Sequence, residues 1–242
     1  MRIAVTDALR KEIAPSGTLR VGVNHQNFLL VLPGYQAPDL RGPAPDLARE
    51  IGHRLNLPIT FVSFQTAGAL ADGVAADVWD VAFLAAEPQR AGQIAFSPPY
   101  LKIPASYLVP AGSSLLELAD VDREGVRISA AAKSAYELYL RRSLKHATLV
   151  TAPSVDASFD LFVNDRLDAL SGLVPRLLKD VQKLPGARIL DGQFTAVEQA
   201  VGTHPSRPVA VEFLKELVLE LCASGFVKEA IDKNGVTGVI AG

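Results

Sequence analysis

The chain is poor in the residues that build covalent or metal-bound sites. Its 242 residues include one cysteine, one methionine, one tryptophan and four histidines. The single cysteine, Cys222, excludes an internal disulfide and a cysteine-rich metal site, and its apolar helical setting reads as that of a buried thiol. His25, His53, His146 and His204 are scattered without metal-ligand spacing, and His53 falls on the polar side of its helix. Neither charge sign dominates. With 24 Lys+Arg against 26 Asp+Glu, a net charge of -2 and no basic cluster, general nucleic-acid binding is not expected. Long apolar runs are missing too. The longest notable one, Phe28–Leu32, is far short of a membrane span, so no direct membrane insertion is expected. The glycine-rich signatures of phosphate and dinucleotide loops are absent; with no metal-ligand spacing either, neither a cofactor nor a metal is expected. Met1–Ser16 lacks the apolar core of a secretory signal. The expectation is a cytoplasmic protein as the chain stands, or a periplasmic one if an export signal has been removed.

What is present is an α/β grammar. A 49% hydrophobic, 21% charged composition suits one large globular domain or two modest ones. Spacing predicts a short helix over Thr6–Ile13, a strand over Thr18–Val23, and a helix capped by Asp46 that stops before Pro58. A strand over Ile59–Phe64, a helix over Ala67–Ala75 and a strand over Val78–Leu84 follow. This β-α-β-α-β order implies a parallel sheet with right-handed crossovers. After the extended Ala105–Pro110 the grammar restarts. Strands are predicted over Gly125–Ala130, Ala147–Ala152, Leu167–Ser171 and Ala187–Leu190. Helices are predicted over Ser134–Leu144, Val155–Asn164 behind the cap Ser154, and Pro175–Gln182. A second extended passage, Gln193–Thr203, leads to helices over Pro208–Ser224 and Phe226–Asn234.

The stretch Asp80–Tyr100 organises the reading. Val81–Leu84 is a short all-apolar run, as in a parallel strand covered on both faces, and Ala85 to Arg90 lie at its carboxyl end, where open α/β sheets bind small ligands. Arg90 reads two ways: as half of a surface pair with Glu87, or as a planar cation suited to a carboxylate. Asn24 to Asn27 are either a polar turn or hydrogen-bonding groups at the same edge. Phe64 suits an aromatic wall or a core place. Tyr100, Tyr107 and Tyr136 could line a cleft or pack at a hinge.

In order and spacing, Leu19–Val23, Pro45–Ala48, Trp79–Val81, Pro88–Arg90, Phe96–Tyr100 and Arg166–Ala169 resemble the family 3 solute-binding proteins, the amino-acid-type receptors of ABC importers. The resemblance runs over nearly the whole chain from Thr18. It implies two α/β lobes with mainly parallel sheets, joined by two hinge strands and closing over a ligand. The discontinuous first lobe would take residues 1–107 and 200–242, and the second 108–199, with hinges at Ala105–Pro110 and Phe194–Gly202. A permease would be the partner if the protein is exported, and a monomer is expected.

Carried over residue by residue, the resemblance makes Arg90 the grip on a ligand carboxylate. Ala85 stands where the family usually has Ser or Thr, leaving a backbone N–H, and Glu87 where it often has Thr. Ala131–Glu137 aligns with Gln-x-Gly-Ser/Thr-Thr-x-Glu. Ser134 thus keeps a hydroxyl at a helix start, where free N–H groups favour an anion, and Lys133 replaces glycine. The family's aspartate for the ligand's α-ammonium falls on Leu173. An ammonium left unpaired costs several kcal/mol, so the implied ligand is a carboxylate or similar anion without an α-ammonium held in the usual way, unless Glu87 or Glu198 takes over. The alternative is an enzyme on the same fold, of the cyclohexadienyl dehydratase type, needing Glu87, Glu137 or Glu198 as a positioned acid.

Overall fold

Helices alternate with short strands in the computed structural model, which describes residues 4–242. The first three residues of the Met1–Ser16 stretch, and of the expected first lobe, lie outside the described residues. In chain order the elements are α1 (Asp7–Ile13), β1 (Leu19–Asn24), α2 (Pro43–Leu55), β2 (Ile59–Phe64), α3 (Ala67–Asp72), β3 (Val81–Ala85), β4 (Ala95–Phe96) and β5 (Leu101–Val109). Then come β6 (Arg127–Ala131), α4 (Ala135–Ser143), β7 (Thr148–Ala152), α5 (Val155–Asn164), β8 (Ala169–Leu173), α6 (Val174–Asp180) and β9 (Arg188–Ile189). The chain closes with β10 (Thr195–Thr203), α7 (Pro208–Ala223), α8 (Phe226–Lys233) and β11 (Ile240–Ala241).

Contacts divide the chain into two units. One takes it up to Lys102 and again over Glu198–Gly242; the other is Ile103–Val197. The crossings therefore fall inside β5 and β10, at 102/103 and 197/198, against the expected 107/108 and 199/200. In the first unit the strand order is β2-β1-β3-β10. β1 runs parallel to β2 and β3, with Asn24 opposite Phe64 and Val21 opposite Val81, while β10 returns antiparallel with Gln199 opposite Ala85. The carboxyl ends of β1, β2 and β3 thus share one edge. In the second unit the order is β5-β8-β6-β7. β6 is parallel to β7 and β8, and β5 is antiparallel to β8 with Ala105 opposite Leu173.

Several local expectations need correction. Asp46 is not the cap of α2: the helix begins at Pro43 behind Gly42. Proline fits a first turn because its missing N–H would have no partner there. Asp46 sits one turn in, where its carboxylate meets the positive helix end and accepts Asn234 Nδ2 at 2.8 Å. The third strand starts at Val81 rather than Val78. Asp77 takes a φ of 48°, and Trp79 is packed inward with Nε1 donating to Leu70 O at 2.9 Å. β8 starts at Ala169 and runs on to Leu173. Cys222 is half-buried rather than buried. The short β11, which pairs Ile240 with Lys102, has no counterpart in the sequence reading. His53 is solvent-exposed, as its helix face implied.

One carboxylate holds the first unit's strands in place. Asp80 is 0% exposed. It accepts the Arg20 backbone N–H at 2.8 Å, Arg20 Nε at 3.1 Å, Arg20 Nη2 at 2.8 Å and Arg207 Nη1 at 3.0 Å. Asp80 N donates back to Arg20 O at 2.8 Å, and Arg207 also donates to Ile13 O at 3.1 Å. The start of β1, the start of β3, the end of α1 and the start of α7 therefore meet at one charge.

The second unit repeats the device. Asp168, just ahead of β8, accepts Arg127 N at 2.8 Å, lies 3.6 Å from Arg127 Nε and donates its N–H to Arg127 O at 3.0 Å. Its side chain is 41% exposed. Removing one partner of a buried pair leaves the other charge uncompensated, so Asp80→Ala should destabilise the protein by about 3–5 kcal/mol. Asp168→Ala, at an exposed pair, should cost about 1 kcal/mol or less. Urea unfolding of the two variants checks the contrast.

Candidate functional site

In the first unit the carboxyl edge is built by the end of β3. Ala85 closes the strand, and a 3-10 turn over Pro88–Arg90 folds the chain back. Arg90 Nη1 thereby donates to Ala85 O at 2.9 Å, while Arg90 N donates to Glu87 O at 2.8 Å. Arg90 is 6% exposed and Glu87 is buried, so the reading of a solvated surface pair is wrong: both charges are inside. Burial pulls the Arg90 guanidinium below its ordinary pKa, and Glu87 and Asp72 oppose that pull. Asp72, at the end of α3, had not been singled out; a lone acid in an alanine-rich helix carries no signal for it.

Glu198 is brought to the same place, its carbonyl accepting Ala86 N at 2.9 Å. Its carboxylate is engaged with Lys102 Nζ at 2.7 Å. Asn24 is at the edge too, but its Oδ1 closes a turn by accepting Gln26 N at 3.0 Å. That is the polar-turn reading of this segment. Phe64, opposite Asn24, is half-buried against the cluster of Leu70, Val74, Trp79 and Leu84.

Tyr100 does not line a cleft. It is 0% exposed, edge-on to Phe83 at 5.8 Å, and its hydroxyl has no partner among the described residues. Burial accordingly pushes its pKa up. After Pro98-Pro99 the backbone at Tyr100 is tied to β10, Tyr100 N donating to Gln199 O at 2.8 Å. Tyr107 is also buried, 4.5 Å from the Phe194 ring.

In the second unit the corresponding edge joins the end of β6 to α4. Ser134 is the N-cap of α4, its Oγ accepting Glu137 N at 3.2 Å. Lys133 N donates to Glu137 Oε2 at 3.1 Å, and Arg141 Nε holds Glu137 Oε1 at 2.8 Å. Lys133 takes a φ of 58°, which explains why the resembling family uses glycine here. Tyr136 is buried rather than cleft-facing; burial pushes its phenol up to about 12 even though Ser134 and Arg176 favour ionisation. Arg176, in α6, is tied to Asp180 and Asp156 at 2.7 and 2.8 Å. The sequence reading missed it, because the PRLLKD stretch looks like an ordinary amphipathic turn. Leu173 ends β8 and leads directly into α6.

No group of three or more His, Cys, Asp or Glu among the described residues could hold a metal ion. No helix among them is long and apolar enough to cross a membrane.

Two consequences can be measured. A buried hydroxyl without a partner keeps its desolvation cost, so Tyr100→Phe should leave stability unchanged or raise it by about 1 kcal/mol. Left-handed backbone costs a side-chain-bearing residue roughly 1 kcal/mol, so Lys133→Gly should gain about 0.5–1 kcal/mol. Denaturant titrations read both.

Solved structures of similar shape are numerous. A mutant of ArgBP from T. maritima superposes with a TM-score of 0.74 at 20% identity, covering 95% of this chain and 100% of that one. An amino acid ABC transporter substrate-binding protein from Streptococcus pneumoniae, bound to L-arginine, gives 0.73 at 17% identity over 96% and 100%. The ancestral amino acid-binding protein AncCDT-1, described as a precursor of cyclohexadienyl dehydratase, gives 0.72 at 19% identity over 93% and 98%. These likenesses establish the type II periplasmic-binding-protein fold. No curated protein sequence matches the chain. The profile of one family does, from residue 19 to residue 235, and by that match the chain belongs to the bacterial extracellular solute-binding proteins, family 3.

Proposed function

We propose that this protein is a receptor for a small carboxylate-bearing solute that is not a standard α-amino acid, and that it works as a monomer handing that solute to an ABC permease. The observation that carries the ligand class is Leu173. It closes β8 where the resembling family places the aspartate for an α-ammonium. The carboxylates that could substitute are engaged: Glu198 with Lys102, and Glu87 against Arg90. The anion-binding half is retained. Arg90 is a guanidinium braced on Ala85 O at the carboxyl edge of β3, and a planar fork favours a carboxylate there. Ser134 and Lys133 supply polar groups at the second unit's edge.

Delivery to a permease requires the protein on the outer side of the membrane. Held in the cytoplasm, the same site would serve sensing or carriage. Binding rather than turnover is the reading. Glu137 is fixed by Arg141 and the Lys133 N–H, which leaves it no role as a mobile general acid.

A thermal-shift screen tests the ligand class by comparing amino acids with the 2-hydroxy and 2-oxo acids of matched side chain. Stabilisation by the hydroxy or oxo acids, falling about 100-fold in affinity in Arg90→Ala, is expected from the loss of a charge-assisted contact. Stabilisation by the amino acids alone would overturn the reading.

A further inference from the structure

We infer that the second unit carries a separate site for a small amphipathic anion, an apolar body with one acidic head, at the edge of its sheet opposite Leu173. This site goes beyond the receptor reading and uses none of its residues. β5 runs antiparallel to β8 with Leu108 opposite Leu170, so the Pro110 end of β5 meets the amino end of β8. A cavity of about 400 Å³ opens there, within the range of small-ligand pockets.

The cavity has a built floor and walls. Phe162 and Leu167 line it, both 3% exposed and part of the core cluster with Leu108, Leu170 and Leu177. On one side the Leu184–Ala187 loop closes against Ala111. The fit is tight enough that a Cβ on Gly186 would come within 2.9 Å of the Ala111 Cβ. Val163, 39% exposed, stands at the mouth.

Two charged residues line the same hollow, and they are not equivalent. Asp168 is satisfied by the Arg127 backbone and guanidinium. Arg166 is exposed, and only its backbone is used, the oxygen accepting Arg127 Nη2 at 2.7 Å and the N–H donating to Val163 O at 3.4 Å. Among the described residues its guanidinium has neither a hydrogen bond nor an ion pair. The backbone at Arg166 takes a φ of 48°, a conformation that few side-chain-bearing residues adopt. An apolar body would displace water from Phe162, Leu167 and Val163, and a two-oxygen anion would match the unengaged fork. A neutral apolar molecule would gain only the first contribution.

Sodium octanoate, titrated into the ¹⁵N-labelled full chain, is the probe. Saturable amide shifts are expected over residues 162–168 and 184–187. Arg166→Asn keeps a residue tolerant of the left-handed backbone and should weaken binding at least tenfold. Val163→Trp, which fills the mouth, should abolish it, while 1-octanol should bind the wild type and Arg166→Asn equally. Thermal melts of both variants confirm that they fold. Binding should survive in Arg90→Ala. Shifts confined to Ala85–Arg90, loss of binding in Arg90→Ala, or undiminished binding in Val163→Trp would each overturn the inference.

Discussion

A carboxylate taken out of water must be answered by donors, and Asp80 is answered four times, by three groups of Arg20 and one of Arg207. An ion pair so buried is weak evidence of net stability against an apolar substitute. Its consequence here is positional. Arg20 comes from β1 and Arg207 from the approach to α7, and both also reach Asp77, so the two segments are tied to one acidic corner just ahead of β3. With the start of β3 fixed, a strand of five residues ends at Ala85, and the turn that follows returns Arg90 to the Ala85 carbonyl. The placement of the guanidinium proposed to grip the ligand is thus settled at the far end of its strand.

The second unit uses the same backbone exchange between an early strand and the residue preceding β8, but with a more solvated carboxylate. The difference lies in what covers it. Asp80 is roofed by Arg207, which a distant segment supplies; Asp168 has only Arg127 and faces solvent. The two units are therefore alike in connectivity and unlike in how strongly that connectivity is enforced. The architectural repetition visible in the order of strands and helices has this physical counterpart.

Elements with strong local signals were legible from the residues alone. Ile59–Phe64 and Val155–Asn164 behind Ser154 are found as read, because each is bounded at its start by a proline or a capping hydroxyl. Asp46 misled because an acid in a first turn and an acid at a cap are both favoured by the positive end of the helix. The two-residue β11 carries no periodicity at all, being defined only by its partner β5. For the site, the residue types at β3's end were readable, but their burial was not. Whether Arg90 and Glu87 face water depends on tertiary packing around the end of β3, where β10 arrives from far off in the chain. Tyr100 shows the same limit: a tyrosine after two prolines looks like a hinge or wall residue until its neighbours are known. The left-handed backbone at Lys133 is invisible in a lysine, although the glycine of the resembling family hinted at it.

The route of the chain through the two units bears on how the protein is made. Ile103–Val197 is uninterrupted, so once residue 197 has left the ribosome every partner within that unit is available. The other unit begins earlier yet cannot finish first. Until Arg207 emerges, Asp80 has only Arg20 to neutralise it, β3 lacks β10, and Glu12 lacks the α7 backbone N–H of Ala210 that it caps at 2.9 Å. During synthesis the half that starts first is left as an open sheet edge with one of the two arginine partners of Asp80 still missing, and the half that starts second is the first to be complete.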